Sequence, residues 1–571
     1  MHKIIDRDHR VQNQVCTHGR AASVNNISYV FDDNSNISVV TQGTQSISRL
    51  YDAENRVYEK EQTGYGTISY QYDITSSLAS GEVAELATHP DGRTVKKVYD
   101  KVDRLKAVYQ NAILEAAYTY FDTGRLETVT YQNGIEISYE YYPDGQLESM
   151  VTKDGTGTEL YNFGYQYDPN NNLIYKDEAS GEKNYTYDQA NRLKTETAAD
   201  SSLINMYEYD KAHNRVKDYT TDLSLFEAQT NAAYSYDEQN RLTSLTSGNA
   251  THTYSYNPEN YRTRKNTTHY AYEYDKPIAE YTLSGTTATV TAFNLFGTSL
   301  ICRTMGAQKY YYLYNAHGDV IALTDASGDI VAEYEYDSWG AITAKTGNIS
   351  NPFRYSGYVY DEETGLYYLN ARYYDPVIGR FLTEDTYLGE RTDPLSLNLY
   401  AYVLGNPHKY FDPSGRNNTA VADGYFAGSG IELGTIGTFL GKAAPIIWGY
   451  QIGDWLTRKF TGVGFFNTAG GDLDGSVSIP HLAEIMNMQP TYLIRKFKKI
   501  FKQSPMRYYN SLRADEAATL LLTTNKSIKE TGICIGLHDQ SYFIQFFEKF
   551  KNVTPVEYKK LFYFYLKQKS R

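Results

Sequence analysis

The chain has 571 residues, of which 41% are hydrophobic, 15% aromatic and 22% charged, and its formal net charge is −13. That length favours roughly two to four domains over one, and the aromatic content excludes a disordered chain. Three cysteines (Cys16, Cys302, Cys534) stand too far apart for a disulfide framework or a CxxC zinc site, so no metal centre is expected.

The chain holds 58 tyrosines. Tyrosine suits half-buried pleated surfaces, which predicts a large β structure. Residues 1–15 are polar and lack the apolar run of a secretory signal. Up to about residue 280 one unit recurs: Tyr-x-Tyr-Asp, a few polar residues, then Asn or Gly, Arg and Leu. Copies include Arg49–Val57, Lys97–Leu105, Tyr118–Leu126, Tyr185–Leu193, Tyr207–Val216 and Tyr234–Leu242. Degenerate copies start at Tyr29, Tyr139, Tyr165 and Tyr254. The repeat length is roughly 20 residues, as in stacked arrays. Alternating tyrosines place rings on one face, Asp with Asn or Gly makes a turn, and Arg-Leu opens the return strand. Each unit therefore predicts a β-hairpin, and hairpins of this size must stack to bury their aromatic faces. The tyrosines are read as architectural; nothing in their spacing favours the alternative of a carbohydrate-binding surface.

These units resemble the YD repeats of the Rhs family. The stretch from Tyr314 to Gly340, followed by Phe353 to Gly415 (FRYSGYVYDEETGLYYLNARYYDPVIGRF…NPHKYFDPSG), resembles the Rhs-associated core motif. The resemblance covers about residues 26–415. It implies a β-strand spiral forming a partial shell, without the N-terminal plug or targeting domain of longer relatives. In the family the core can act as an intramolecular aspartyl protease. Carried over by position, this implies Asp375 and Asp385 as the carboxylates, Arg380 holding one of them ionised, and cleavage near Asp412, Pro413 and Gly415. Here Thr386 replaces the usual proline after the second Asp, and Arg416 the usual apolar residue after Gly415.

Residues 416–476 are Gly-rich and read as a linker or helical hairpin. The apolar window Ile431–Tyr450 is interrupted by Glu432, Lys442 and Pro445, short of the ~18 apolar residues of a membrane span.

From Val477 onward there are 16 Lys and Arg against 7 Asp and Glu, leaving 39 basic and 61 acidic residues before it. Such asymmetry points to a nucleic-acid partner for one end. The period also becomes helical. Ser478 caps a helix, Pro490 opens a second, and Leu493, Phe497 and Phe501 are expected inside, with Ile494, Arg495, Lys498 and Lys499 outside. Met506–Thr524 reads as a linker helix. Ser527 and Glu530 form a capping box, Gly536 turns, and a second recognition helix follows Asp539. Two helix-turn-helix units on one chain could address successive major-groove faces. Residues 478–562 resemble the AraC/XylS-type DNA-binding domain. By position, the resemblance implies base contacts from Thr491, Ile494, Arg495, Gln540, Ser541, Ile544 and Gln545. Arg495 and Gln545 suit bidentate reading of guanine and adenine, and Lys498, Lys499 and Lys529 suit phosphates. Thr531-Gly532 replaces the usual Ile-Ala, and Gln545 and Glu548 stand where Arg and Lys are common.

The expected organisation is an all-β YD-repeat array (1–280), an Rhs-associated core (281–415), the linker (416–476) and an all-α double helix-turn-helix domain (477–571). No motif for a separate enzyme or cofactor occurs. The expected function is sequence-specific binding of double-stranded DNA and transcription regulation in the cytoplasm, with RNA polymerase as a candidate partner and the oligomeric state left open. The alternatives are a secreted or surface Rhs-type effector whose tip is the DNA-binding module, and a recombined gene without a selected joint function.

Overall fold

Each Tyr-Asp repeat folds as an antiparallel hairpin in the computed structural model. The model describes residues 2–5, 11–15, 26–32, 36–218, 221–222, 232–386, 394–416 and 418–421. In the C-terminal region it describes 494, 498, 504, 506–507, 510, 513–514, 517–518, 520–521, 526–535, 537, 540–551 and 553–559. Asp188 shows the turn chemistry: Oδ1 accepts the amides of Ala190 and Arg192, while Oδ2 accepts Arg192 Nε at 2.7 Å. Asn191 takes the left-handed conformation, φ 59°, that the turn requires. Asp100 and Asp237 do the same with Arg104 and Arg241. The return strand then begins at the leucine, and Leu126, Leu193 and Leu242 are all buried. Burying each is worth about 1.5–3 kcal/mol.

Two further contacts join one repeat to the next. The second tyrosine of a repeat donates its hydroxyl to the carbonyl that opens an earlier strand, 14 to 16 residues back: Tyr120 to Leu105, Tyr141 to Leu126, Tyr187 to Leu173, Tyr209 to Leu193 and Tyr256 to Leu242. The turn arginine lies over that same ring, Arg104 at 4.5 Å from Tyr120, Arg192 at 4.3 Å from Tyr209 and Arg241 at 4.9 Å from Tyr256. The repeat consensus is therefore a set of contacts between neighbours, and this is why single hairpins cannot stand alone.

Residues 61–428 form one compact unit; residues 1–60 with 429–571 form another. In the first, each strand from Gly66–Ile74 to Thr221–Asp222 pairs antiparallel with the next in chain order, and a second meander of 12 strands runs from Ala232–Tyr236 to Ile342–Lys345. Both contribute to one aromatic core, through pairs such as Tyr65 with Tyr281, Tyr131 with Tyr311 and Tyr207 with Trp339. A four-stranded sheet follows, made of Val359–Asp361, Leu366–Leu369, Arg372–Asp375 and Arg380–Phe381. Buried Arg262 anchors it by pairing with Asp361, donating to the Tyr373 hydroxyl at 2.9 Å and lying 4.4 Å from the Tyr368 ring.

In the second unit, strands Ile27–Phe31, Ile37–Gln42 and Gln45–Tyr51 form successive hairpins. Helices α1 (Ile528–Cys534) and α2 (Gln540–Lys551) lie near its end. The described positions between Met506 and Leu521 are helical. Ala514, Ala517, Ala518 and Leu521 repeat at three- and four-residue spacing and pack with Ile535, Leu537, Phe543, Phe546 and Phe547. Residues 422–476 of the expected linker (416–476) and the first expected helix, 478–488, lie outside the described residues.

Candidate functional site

The C-terminal helices begin with the expected cap. The Ser527 hydroxyl accepts the Glu530 amide at 3.2 Å, and the Glu530 carboxylate accepts the Ser527 amide at 2.8 Å. At the other end of α1, Arg513 donates Nε and Nη2 to the Ile535 carbonyl at 2.9 and 2.7 Å. A guanidinium on an open helix-end carbonyl complements the dipole and ties the preceding helix to the turn. No sequence rule singled out Arg513. Gly532 also acquires a reason: a Cβ there would lie 2.7 Å from the Leu537 carbonyl oxygen and 3.1 Å from Phe543 Cγ. The turn lets backbone and helix approach closely, so glycine stands where the family has alanine.

Helix α2 turns Phe543, Phe546 and Phe547 inward. Gln540, Ser541 and Gln545 are exposed, Ile544 is half-buried, and Lys529 on α1 is exposed. Ser541, Gln545 and Glu548 follow one another at i, i+4 and i+7, so a single exposed face carries two neutral hydrogen-bonding groups and one acid. In the first helix-turn-helix unit, Thr491, Arg495 and Lys499 lie outside the described residues. Lys498 is helical and pairs with Glu54. The expectation that Ile494 faces outward is corrected. Only 3% of it is exposed, as burial of an apolar side chain favours.

The second candidate site lies in the core sheet. Along Arg372–Asp375, side chains alternate between faces, so Arg372 and Asp375 point to opposite sides. Asp375 caps the following turn, accepting the Val377 amide at 2.9 Å, and burial raises its carboxyl above the ordinary range. Arg380 is half-buried, lies 5.4 Å from the Tyr400 ring, and interacts electrostatically with Asp210. The arginine beside Asp385 is Arg372, which the sequence reading missed. Its Nη2 lies 2.7 Å from Asp385 Oδ2 and 3.6 Å from Asp412 Oδ2. Its Nε donates to the Gly415 carbonyl and its Nη1 to the Leu399 carbonyl at 2.9 Å.

The turn from Asp412 to Arg416 is seated tightly. Asp412 Oδ1 accepts the Ser414 and Arg416 amides, and the Tyr358 hydroxyl accepts the Asp412 amide at 2.7 Å. Gly415 has φ 72°, and a Cβ there would lie 2.3 Å from the Leu369 carbonyl oxygen. Asp385, Asp412 and the Gly415 carbonyl thus share one guanidinium, while Asp375 stands on the other face. A shared-proton carboxylate dyad needs two acids in direct contact, whereas here the Arg372 guanidinium lies beside both Asp385 and Asp412. The geometry can hold this segment and polarise the Gly415 carbonyl.

These features define a YD-repeat β shell followed by an AraC-type helix-turn-helix domain. A Teneurin YD-shell model matches residues 110–408, over half of the chain, and the chain belongs to that family. A helix-turn-helix domain model matches residues 482–561, which makes this a DNA-binding region. The chain is 36% identical over 291 residues to the tRNA3(Ser)-specific nuclease WapA of Bacillus spizizenii, covering 48% of this chain and 12% of that protein. It is 34% identical over 124 residues to toxin protein Tse5 of Pseudomonas aeruginosa, covering 22% of this chain and 9% of that one. The chain thus spans about an eighth or less of the length of these relatives. The crystal structure of TcdB2-TccC3-TEV shares the fold, with TM-score 0.50 and 17% identity over 69% of this chain and 27% of that one. Among the described residues no helix is long and apolar enough to cross a membrane.

Proposed function

We propose that this chain binds duplex DNA in a sequence-specific manner and regulates transcription, with the YD shell carrying the reader. The face of α2 carries the reading: three phenylalanines anchor the helix and leave Gln540, Ser541 and Gln545 free for base edges. Gln545 toward adenine and Arg495 toward guanine are the proposed direct readers, with Thr491 and Ile544 beside them; Lys498, Lys499 and Lys529 are the proposed phosphate contacts. For Lys498 this requires release of the Glu54 pairing it has here. The reader occupies 477–571, and the repeat array (1–280), core (281–415) and linker (416–476) precede it. Such a protein acts in the cytoplasm, near RNA polymerase.

The test is selection from a random duplex library by the full-length chain at physiological salt. One enriched motif, with two half-elements about one helical turn apart, supports the reading; no enrichment refutes it. On the enriched duplex, Arg495→Ala and Gln545→Ala each cost about 1–3 kcal/mol, whereas Lys529→Ala chiefly lowers the salt slope. Equal losses on every duplex would refute base reading.

A second reading is favoured by the nuclease and toxin relatives: a secreted or surface effector whose shell retains a C-terminal tip. Release would occur at Gly415–Arg416, where Arg372 polarises the carbonyl beside Asp385 and Asp412. Asp385→Asn then abolishes the released fragment, and a fragment persisting in that variant defeats this reading.

A further inference from the structure

A cavity of about 160 Å³ opens inside the YD-repeat unit. Strands Glu159–Tyr167 and Leu173–Glu178 line one part of it; residues between Asn315 and Thr346, with Tyr355 and His408, line another. A chain of polar contacts runs along its wall. Lys176 donates to Glu178 at 3.1 Å, Asn315 Nδ2 bridges Glu178 at 3.4 Å and Asp319 at 2.9 Å, and His317 Nδ1 meets Asp319 at 2.8 Å. Asp319 also accepts the Ser356 amide at 2.9 Å, and Ser356 sits in the left-handed region at φ 48°. A non-glycine residue is strained there and persists only where its surroundings fix it. Asp319 is therefore pinned, and through it the imidazole.

Two positions on this wall are unfilled. His317 is 9% exposed, and its Nε2 is buried with no hydrogen-bond partner among the described residues. Lys176 Nζ carries three hydrogens, and among the described residues its hydrogen-bond acceptor is Glu178. Burial opposes the Lys176 charge, but Glu178, Asp319 and Glu196 outweigh it and hold the amine above its ordinary range. The acids, by contrast, are already served: Glu178 by Lys176 and the Tyr165 hydroxyl, Asp319 by His317, Asn315 and Ser356. What the wall lacks is an acceptor.

We propose that this cavity binds a small monocarboxylate, its two oxygens accepting from Lys176 Nζ and His317 Nε2. With a proton on each ring nitrogen, Nδ1 donates to Asp319 and Nε2 is left to face the guest. Nε2 then donates, and a charge-assisted bond forms at each oxygen. Phe163, Leu173 and Ala316 receive the alkyl end.

The experiment is thermal unfolding of the full-length chain in sodium acetate, with acetamide and sodium chloride at matched ionic strength as controls. Acetate should raise the midpoint saturably while acetamide and chloride do not, since only acetate supplies a charged two-oxygen acceptor. His317→Gln and Lys176→Met should each weaken the apparent acetate affinity by roughly tenfold or more. An acetate midpoint no higher than the controls, or a shift surviving in both variants, overturns the proposal and leaves a cavity for water alone. If one variant fails to fold, the loss of acetate affinity in the other carries the test.

Discussion

Arg372→Met isolates what the guanidinium does, because methionine keeps much of the apolar stem and removes the charge. Arg372 is 6% exposed and lies 3.6 Å over the Phe381 ring. It serves Asp385, Asp412 and the carbonyls of Leu399 and Gly415 at once. Removing one partner of a buried ion pair costs ~3–5 kcal/mol, because the remaining charge stays desolvated. Asp412 is 1% exposed and bears that penalty, whereas the Asp385 side chain is 13% exposed and regains some water. The expected loss is therefore about 3 kcal/mol, near the lower end. Arg372→Lys should lose less, because one ammonium retains a carboxylate but cannot span four acceptors. Urea unfolding monitored by fluorescence reads the stability, with buried Trp339 as one reporter. Limited proteolysis reads the release of residues 412–416. An Arg372→Met chain within about 0.5 kcal/mol of the parent, the range of ordinary surface substitutions, would refute the clamp. So would a turn no more open to protease.

Gly532→Ala should destabilise the C-terminal domain by about 1–3 kcal/mol through overpacking, although alanine gains about 1 kcal/mol in intrinsic helix propensity. A higher melting temperature of the helical signal would contradict the close approach to Leu537 and Phe543. Arg192→Ala should cost roughly 2–3 kcal/mol from its charged hydrogen bonds to Asp188 and its stacking on Tyr209. A double-mutant cycle with Tyr209→Leu should show coupling of about 0.5–2 kcal/mol, and strictly additive losses would deny the link between repeats. His408 is held well below its ordinary range by burial, then by Lys176, His317 and Lys183. The unfolded imidazole titrates near ~6.5 and takes up a proton that the folded one refuses. The stability His408 contributes is therefore full above about pH 6.5 and falls by up to ~1.4 kcal/mol per pH unit as pH drops toward the folded value. His408→Gln should flatten that slope in urea midpoints taken between about pH 7 and 5, and an unchanged slope would refute it.

The hairpins were legible because their determinants are local: Asp188, Asn191, Arg192 and Leu193 sit within six residues, and each has one geometric duty. The capping box was legible for the same reason, Ser527 and Glu530 being three residues apart. What escaped were contacts between distant segments. Arg372 reaches Gly415 across 43 residues, and the cavity wall joins Lys176 to His317 across 141, separations that no period or motif encodes. Asp375 and Asp385 drew attention as motif carboxylates, yet strand alternation turns Asp375 away from the face that holds Arg372. Ile494 misled because a helical period alone does not show what covers its outer face.

The two halves of the proposed reader differ in a way that bears on how it would bind. On α1 and α2 the exposed cations Lys529 and Lys549 are offset by Glu530 and Glu548, and Glu548 shares the Gln545 face. In the proposed reading phosphate attraction from this half would be correspondingly weak, and its contribution would rest on hydrogen bonds from Gln540, Ser541 and Gln545, which salt barely screens. The first half carries Arg495, Lys496, Lys498 and Lys499 within five residues. Lys498 is engaged with Glu54 here, so binding through this half exchanges an intramolecular pair for a phosphate. Rising salt weakens both partners of that exchange, so Lys498 contributes less to the salt slope than an unpaired lysine would. Glu54→Gln should therefore steepen the salt dependence and tighten binding at low salt, and a variant indistinguishable from the parent would remove Lys498 from the phosphate contacts.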